Sequence, residues 1–163
     1  MKKKYYFILL ALILVTASLY IIMGRGGTNP QVIVDAYEKE WGISVEAPSV
    51  ETPIYASPKT TDNTGQWATL YSYEDEPTMK NSGMEKITDT TIKAYEERIA
   101  KFEQQTLVGK TAAEQKESKA AFEEYPISLS AGDYGYYKEK NDGKDYFLAI
   151  YQQKKLYTYI LHE

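Results

Sequence analysis

The C-terminal sequence YGYYKEKNDGKDYFLAIYQQKKLYTYIL, residues 134–161, decides the fold of this chain. It contains three short stretches rich in aromatic and branched residues: Tyr134–Lys140, Asp145–Gln152 and Leu156–Leu161. The polar sequences Asn141-Asp142-Gly143 and Gln153-Lys154-Lys155 separate them. A glycine can take the left-handed backbone conformation that a short hairpin loop needs. The pattern therefore predicts an antiparallel meander of three strands.

In the second and third of these strands, both alternating faces are apolar. In the second strand, one face carries Tyr146, Leu148 and Ile150, and the other face carries Phe147, Ala149 and Tyr151. In the third strand, one face carries Leu156, Thr158 and Ile160, and the other carries Tyr157, Tyr159 and Leu161. A strand that is apolar on both faces is covered on both sides of its sheet or meets a partner.

The residues before the meander predict helices and further strands. Asn29 can cap a helix that starts at Pro30 and stops at Gly42, with Ile33, Ala36, Tyr37 and Trp41 on one face. A second helix follows a cap at Thr88 or Asp89, and its apolar residues are Ile92, Tyr95, Ile99 and Phe102. A third begins at the Thr111–Glu114 capping-box spacing and runs to about Glu124.

The strand signals before the meander are weaker. Ile43–Val45 alternates briefly, Ile54–Ala56 follows Pro53 and is typical of an edge strand, and Trp67–Tyr73 alternates well. The polar residues 74–86 predict a connecting loop. We expect an α+β domain over residues 28–163, with an antiparallel sheet of about four to six strands and two or three helices on one face.

An N-terminal segment, residues 1–27, is expected to precede this domain as a transmembrane helix with a glycine-rich tether. Lys2, Lys3 and Lys4 come before 19 uncharged, mostly apolar residues, Tyr5–Met23. At ~1.5 Å per residue a helix of this length measures roughly 28 Å, close to the hydrocarbon thickness of a bilayer. The lysines predict a cytoplasmic N-terminus and an extracytoplasmic domain. Two alternatives stay open: secretion after cleavage near Ala17, and a buried soluble helix.

Composition disfavours several classes of protein. Four of the 19 basic residues lie in the N-terminal segment, leaving 15 against 23 acidic residues, a net charge of −8. Such a surface repels nucleic acid and anionic lipid. The chain has no cysteine, so a disulfide scaffold and thiol chemistry are excluded.

No catalytic, cofactor or metal motif is convincing. The single histidine, His162, lies next to the C-terminus, a poor position for a catalytic base. Asn141–Asp145 resembles part of a calcium loop, but Lys138 and Lys140 would stand where oxygen ligands are needed. Acidic pairs such as Glu96-Glu97 and Glu123-Glu124 lie among polar residues, as on solvated helix faces.

The sixteen tyrosines and Trp67 remain as candidates for recognition. Tyrosine suits half-buried strands and also binding surfaces. The simpler interpretation is a core completed by aromatic residues. The sharper hypothesis is that a sheet face carrying Tyr151, Tyr157 and Tyr159, with Trp67, binds a protein or peptide partner.

The whole chain is similar in general pattern to small single-anchor extracytoplasmic proteins of Gram-positive bacteria. That similarity is one of composition and implies no site. We expect a membrane-anchored, non-enzymatic binding or accessory module that uses no cofactor and has a surface or envelope protein as its partner. The alternatives are a hydrolase using carboxylates brought together by the fold, and a subunit that assembles through its transmembrane helix.

Overall fold

The computed structural model describes residues 29–58 and 64–163. Within them, six strands form one antiparallel sheet in the order β1-β2-β6-β5-β4-β3. The strands are β1 Val50–Ala56, β2 Gly65–Ser72, β3 Glu85–Lys86, β4 Tyr134–Lys140, β5 Asp145–Gln152 and β6 Lys155–His162. The helices are α1 Pro30–Trp41, α2 Ile92–Gln105 and α3 Ala112–Glu124. The expected α+β class is confirmed.

The predicted meander is the centre of the sheet. β4 pairs with β5 and β5 with β6, with Tyr151 opposite Leu156 at the second turn. The first turn is a short 3-10 segment, Asn141–Gly143, in which Gly143 has φ 81°. This is the left-handed conformation that the glycine was expected to take.

The remaining strands extend the meander on both sides. β2 pairs with β6 along its whole length, and β1 is an edge strand with a bulge between Pro53 and Tyr55. At the other edge, the two-residue β3 pairs with β4, where the sequence had predicted only a connecting loop. The brief alternation at Ile43–Val45 does not form a strand, although the side chains of Ile43 and Val45 are both buried.

Helix α1 covers one face of the sheet. The Asn29 side chain accepts a hydrogen bond from the Gln31 N–H, and Gly42 ends the helix with φ 79°, as predicted. Trp41 is fully buried and stacks on Phe147 with their ring centroids 5.6 Å apart.

Helices α2 and α3 cover the opposite face. Thr111 and Glu114 form the predicted capping box at the start of α3. Phe102 of α2 is fully buried, 6.2 Å from Phe122 of α3 and 5.2 Å from Tyr159 of β6, between ring centroids. We expected the helices to pack on one face of the sheet. Helices α2 and α3 do share a face, whereas α1 packs on the opposite face, so the expectation is corrected for α1. The physical reason is the two-sided apolar pattern of β5 and β6, which needs cover on both faces.

Over residues 29–58 and 64–163, none of the helices has the length and apolar character needed to cross a membrane. The predicted transmembrane segment lies outside the described residues.

Candidate functional site

The four aromatic residues singled out in the sequence do not share one exposed surface. Tyr151, Tyr157 and Tyr159 are 3%, 4% and 2% exposed. Tyr151 packs in the core under α1, whereas Tyr157 and Tyr159 pack in the core under α2 and α3. Trp67 is half-buried, with its ring 6.0 Å from the His162 ring. These tyrosines fill the two cores, as the simpler interpretation had it.

Their hydroxyl groups stay protonated inside the protein. The pKa of Tyr159 is raised mainly by burial of its side chain, and the negative charge of the nearby Glu103 carboxylate raises it further. Burial also raises the pKa of Tyr151, whose hydroxyl donates a hydrogen bond to Glu76. Both side chains thus act as neutral, amphipathic core residues.

His162 lies between two carboxylates. Its Nδ1 is 3.6 Å from Asp145 Oδ1, and its Nε2 is 3.5 Å from Glu40 Oε1. Since each ring nitrogen faces a carboxylate, neither is directed at a hydroxyl nucleophile. Among the described residues, no cluster of three or more histidine, aspartate or glutamate side chains is arranged to hold a metal ion.

A cleft between α2 and α3 is lined by two carboxylates and so bears on the hydrolase alternative. Its volume is about 530 Å³, and Glu103 and Glu123 line it together with Leu107, Phe122 and Ile127. Burial raises the pKa of Glu103, whereas Glu123 is exposed. The cleft thus offers two carboxylates in different environments on an apolar floor.

A second cleft, which the sequence gave no reason to expect, lies at the β3–β4 edge of the sheet. Its volume is about 370 Å³, and it lies between one side of α2 and the strand β4. The lining residues are Gly83, Glu85, Thr91, Ala94, Tyr95, Arg98, Gly135, Tyr136 and Tyr137. We call it the Arg98 cleft.

Two tyrosine rings hold Arg98 in this cleft. Its guanidinium carbon is 4.0 Å from the centroid of the Tyr137 ring and 5.2 Å from that of Tyr95. The pKa of the Tyr137 hydroxyl is raised mainly by burial, and the hydrogen bond that this hydroxyl donates to Glu139 raises it further. The phenol therefore remains neutral. Within the part of the chain that the structure describes, the Arg98 guanidinium makes no ion pair and no hydrogen bond.

The close approach of Tyr95 depends on a missing side chain in β4. A Cβ atom added to Gly135 would lie 2.4 Å from Cζ of Tyr95 and 2.7 Å from its hydroxyl oxygen. Gly135 therefore lets the Tyr95 ring lie directly on the strand, next to Arg98.

Three lysines of this edge lie on the α1 face of the sheet, whereas the charged side chains that line the Arg98 cleft are Arg98 and Glu85. Lys86 lies over the Tyr134 ring, and Lys138 donates a hydrogen bond to the Trp41 carbonyl at 2.8 Å. Lys140 donates to the Glu40 carbonyl at 2.6 Å. Lys138 and Lys140 thus satisfy carbonyls at the C-terminus of α1. Arg98 is the cation among the residues that line the cleft, and it has no hydrogen bond or ion pair within the described chain.

Comparison with known proteins gave no match to a family model, a curated protein or a solved structure.

Proposed function

We propose that the chain is a membrane-anchored, extracytoplasmic binding or accessory module without enzymatic activity, which recognises a protein or peptide partner. The observation that carries this proposal is the Arg98 guanidinium, which is held between two rings in an open cleft with its donors unused among the described residues. Arginine presents five N–H donors in a planar fork that matches a carboxylate. Such a group is prepared for an anionic partner.

The proposed location depends on the N-terminal sequence. Three lysines followed by 19 uncharged, mostly apolar residues favour an anchor with the domain outside. Because the chain has no cysteine, a single cysteine at Val108, which is 78% exposed, can report the topology. Labelling by a membrane-impermeant maleimide in intact cells, at full-length mass, is expected. Labelling at a mass reduced by the first 17 residues would indicate cleavage near Ala17, and labelling only after lysis would overturn the location.

The binding role can be tested by photo-crosslinking in intact cells. A photoreactive amino acid at Ala94, an exposed residue of the Arg98 cleft, should form an adduct with the partner. The adduct should be lost in Arg98→Gln and retained in Lys101→Gln, which removes a cation one turn away on the same helix. A photoreactive group at Val108 is the positional control. An adduct at Ala94 that is insensitive to Arg98→Gln, or no adduct beyond the Val108 level, would contradict the proposal.

The hydrolase alternative can be tested at the cleft that Glu103 and Glu123 line. Glycosidases use two carboxylates in different environments, one protonated and one ionised. If this alternative were correct, Glu103→Gln and Glu123→Gln would each abolish hydrolysis of a glycan substrate, and the Ala94 adduct would be independent of Arg98.

A further inference from the structure

The Arg98 cleft lies where the sheet has an open edge, and this juxtaposition points to the form of the ligand. We infer that the partner supplies an extended peptide that pairs with the free edge of β4 and ends in a C-terminal carboxylate bound by Arg98. This inference rests on the proposed function. Strand addition to a sheet edge is a recurrent mode of peptide recognition.

The free edge follows from the register of β3 and β4. β3 pairs only opposite Tyr134 and Gly135, although β4 continues to Lys140. The Asp133 carbonyl accepts a hydrogen bond from the Ile87 N–H on the β3 side. In an antiparallel ladder the two main-chain polar groups of a residue point to the same side, and the sides alternate along the strand.

Gly135, Tyr137 and Glu139 therefore direct their N–H and C=O groups to the β3 side. Beyond Gly135 no strand of the described chain occupies that side of β4. Tyr137 and Glu139 thus offer two donors and two acceptors to an added strand.

The direction of the added strand places its C-terminus in the cleft. A peptide antiparallel to β4 runs in the same direction as β3, so its last residue comes to lie opposite Tyr137, next to the start of β3 at Glu85. β3 occupies the edge from there on, so the peptide must end or leave the sheet. Gly135, Tyr137 and Arg98 line this position together.

Arg98 and Glu85 are the charged side chains that line the cleft, and Arg98, which makes no ion pair among the described residues, is the one that can bind a carboxylate. Arg98 can accept it in a bidentate arrangement, and the Tyr95 and Tyr137 rings hold the guanidinium plane in place. A parallel peptide would instead present its N-terminal amine to the guanidinium, an arrangement that like charges disfavour. The antiparallel peptide with a free C-terminus is therefore the occupant that the cleft fits.

The test uses the full-length protein in lipid nanodiscs and two random hexapeptide libraries coupled to beads through their N-termini. One library has free C-terminal carboxylates and the other has C-terminal amides. Wild type should retain peptides from the free-acid library at least about tenfold more strongly than from the amide library, as expected for a charge-assisted contact. Arg98→Gln should lose this preference, and Lys101→Gln should keep it.

Peptides enriched in this way are then resynthesised with a single N-methyl group at each position in turn. Strand pairing predicts that binding falls at every second position, because alternate N–H groups face β4. Uniform tolerance of N-methylation would overturn strand addition.

Other outcomes separate this inference from the proposed function. Equal retention of acids and amides that still requires Arg98 would overturn the C-terminal carboxylate and favour an acidic side chain in its place. Retention of neither library, with an Arg98-dependent adduct at Ala94 in cells, would overturn the peptide ligand and leave the binding role intact. A dimer of this chain abolished by Arg98→Gln would overturn the partner peptide in favour of a second copy.

Discussion

Replacement of Gly135 by alanine tests the packing on which the Arg98 cleft depends. The added Cβ would lie 2.4 Å from Tyr95 Cζ, and ordinary contact begins at 3.4 Å, so the ring must move by about 1 Å. Tyr95 is partly buried against the core under α2 and α3, so its ring cannot swing away freely. Overpacking of this kind costs about 1–3 kcal/mol. The lost glycine entropy in the unfolded chain offsets about 0.4–1 kcal/mol of that.

A net loss of about 1–2 kcal/mol should lower the melting temperature by about 3–8 °C in a domain of this size. Circular dichroism of the full-length protein in detergent measures it. The matched control is the same substitution in a Tyr95→Ala background, where Gly135→Ala should be neutral or slightly stabilising because the clash is gone. Equal destabilisation in both backgrounds, or a stabilised single variant, would refute the proposed packing of Tyr95 on β4.

Two further predictions concern the cores. Tyr37→Phe removes a buried hydroxyl that lies 2.9 Å from the Tyr71 hydroxyl and 3.4 Å from Thr158 Oγ1. We expect the free energy of unfolding, measured by urea denaturation, to fall by about 1–2 kcal/mol. An unchanged midpoint would show that these hydrogen bonds contribute nothing to stability. Glu103→Gln tests the pH dependence: burial raises the pKa of Glu103, so the stability from this group is present at low pH and lost as the pH rises through the folded-state pKa. The variant should therefore melt at a higher temperature than wild type at pH 7 and show a smaller gain near pH 4, and a gain that grew toward low pH would contradict this sign.

Local features of the fold could be predicted from the sequence because they depend on neighbouring residues. The cap at Asn29, the stop at Gly42, the capping box at Thr111 and the turn at Gly143 each need only a few adjacent residues and a defined backbone conformation. The meander belongs to the same class, since hairpin register follows from turn length and alternation.

The order of the outer strands could not be predicted in this way. β2 pairs with β6 across some ninety residues, with Trp67 opposite Ile160, and no local pattern specifies that choice. The same limit applies to the tyrosines of β5 and β6. Apolar strand faces are compatible with a covering helix or with a partner, and only the packing of Phe102 on Tyr159 decides for the helix.

Arg98 was overlooked because in sequence it follows Glu96-Glu97 on a polar helix face and looks like a solvated charge. Its setting depends on three segments brought together by topology: α2, the short β3, and β4 with its glycine. The brevity of β3 links the two halves of the inferred site. A longer β3 would pair with Tyr137 and Glu139 and would close the edge beside Arg98. Because β3 stops after two residues, an unsatisfied cation and unpaired main-chain groups lie side by side, as recognition of an extended peptide with a free carboxylate requires.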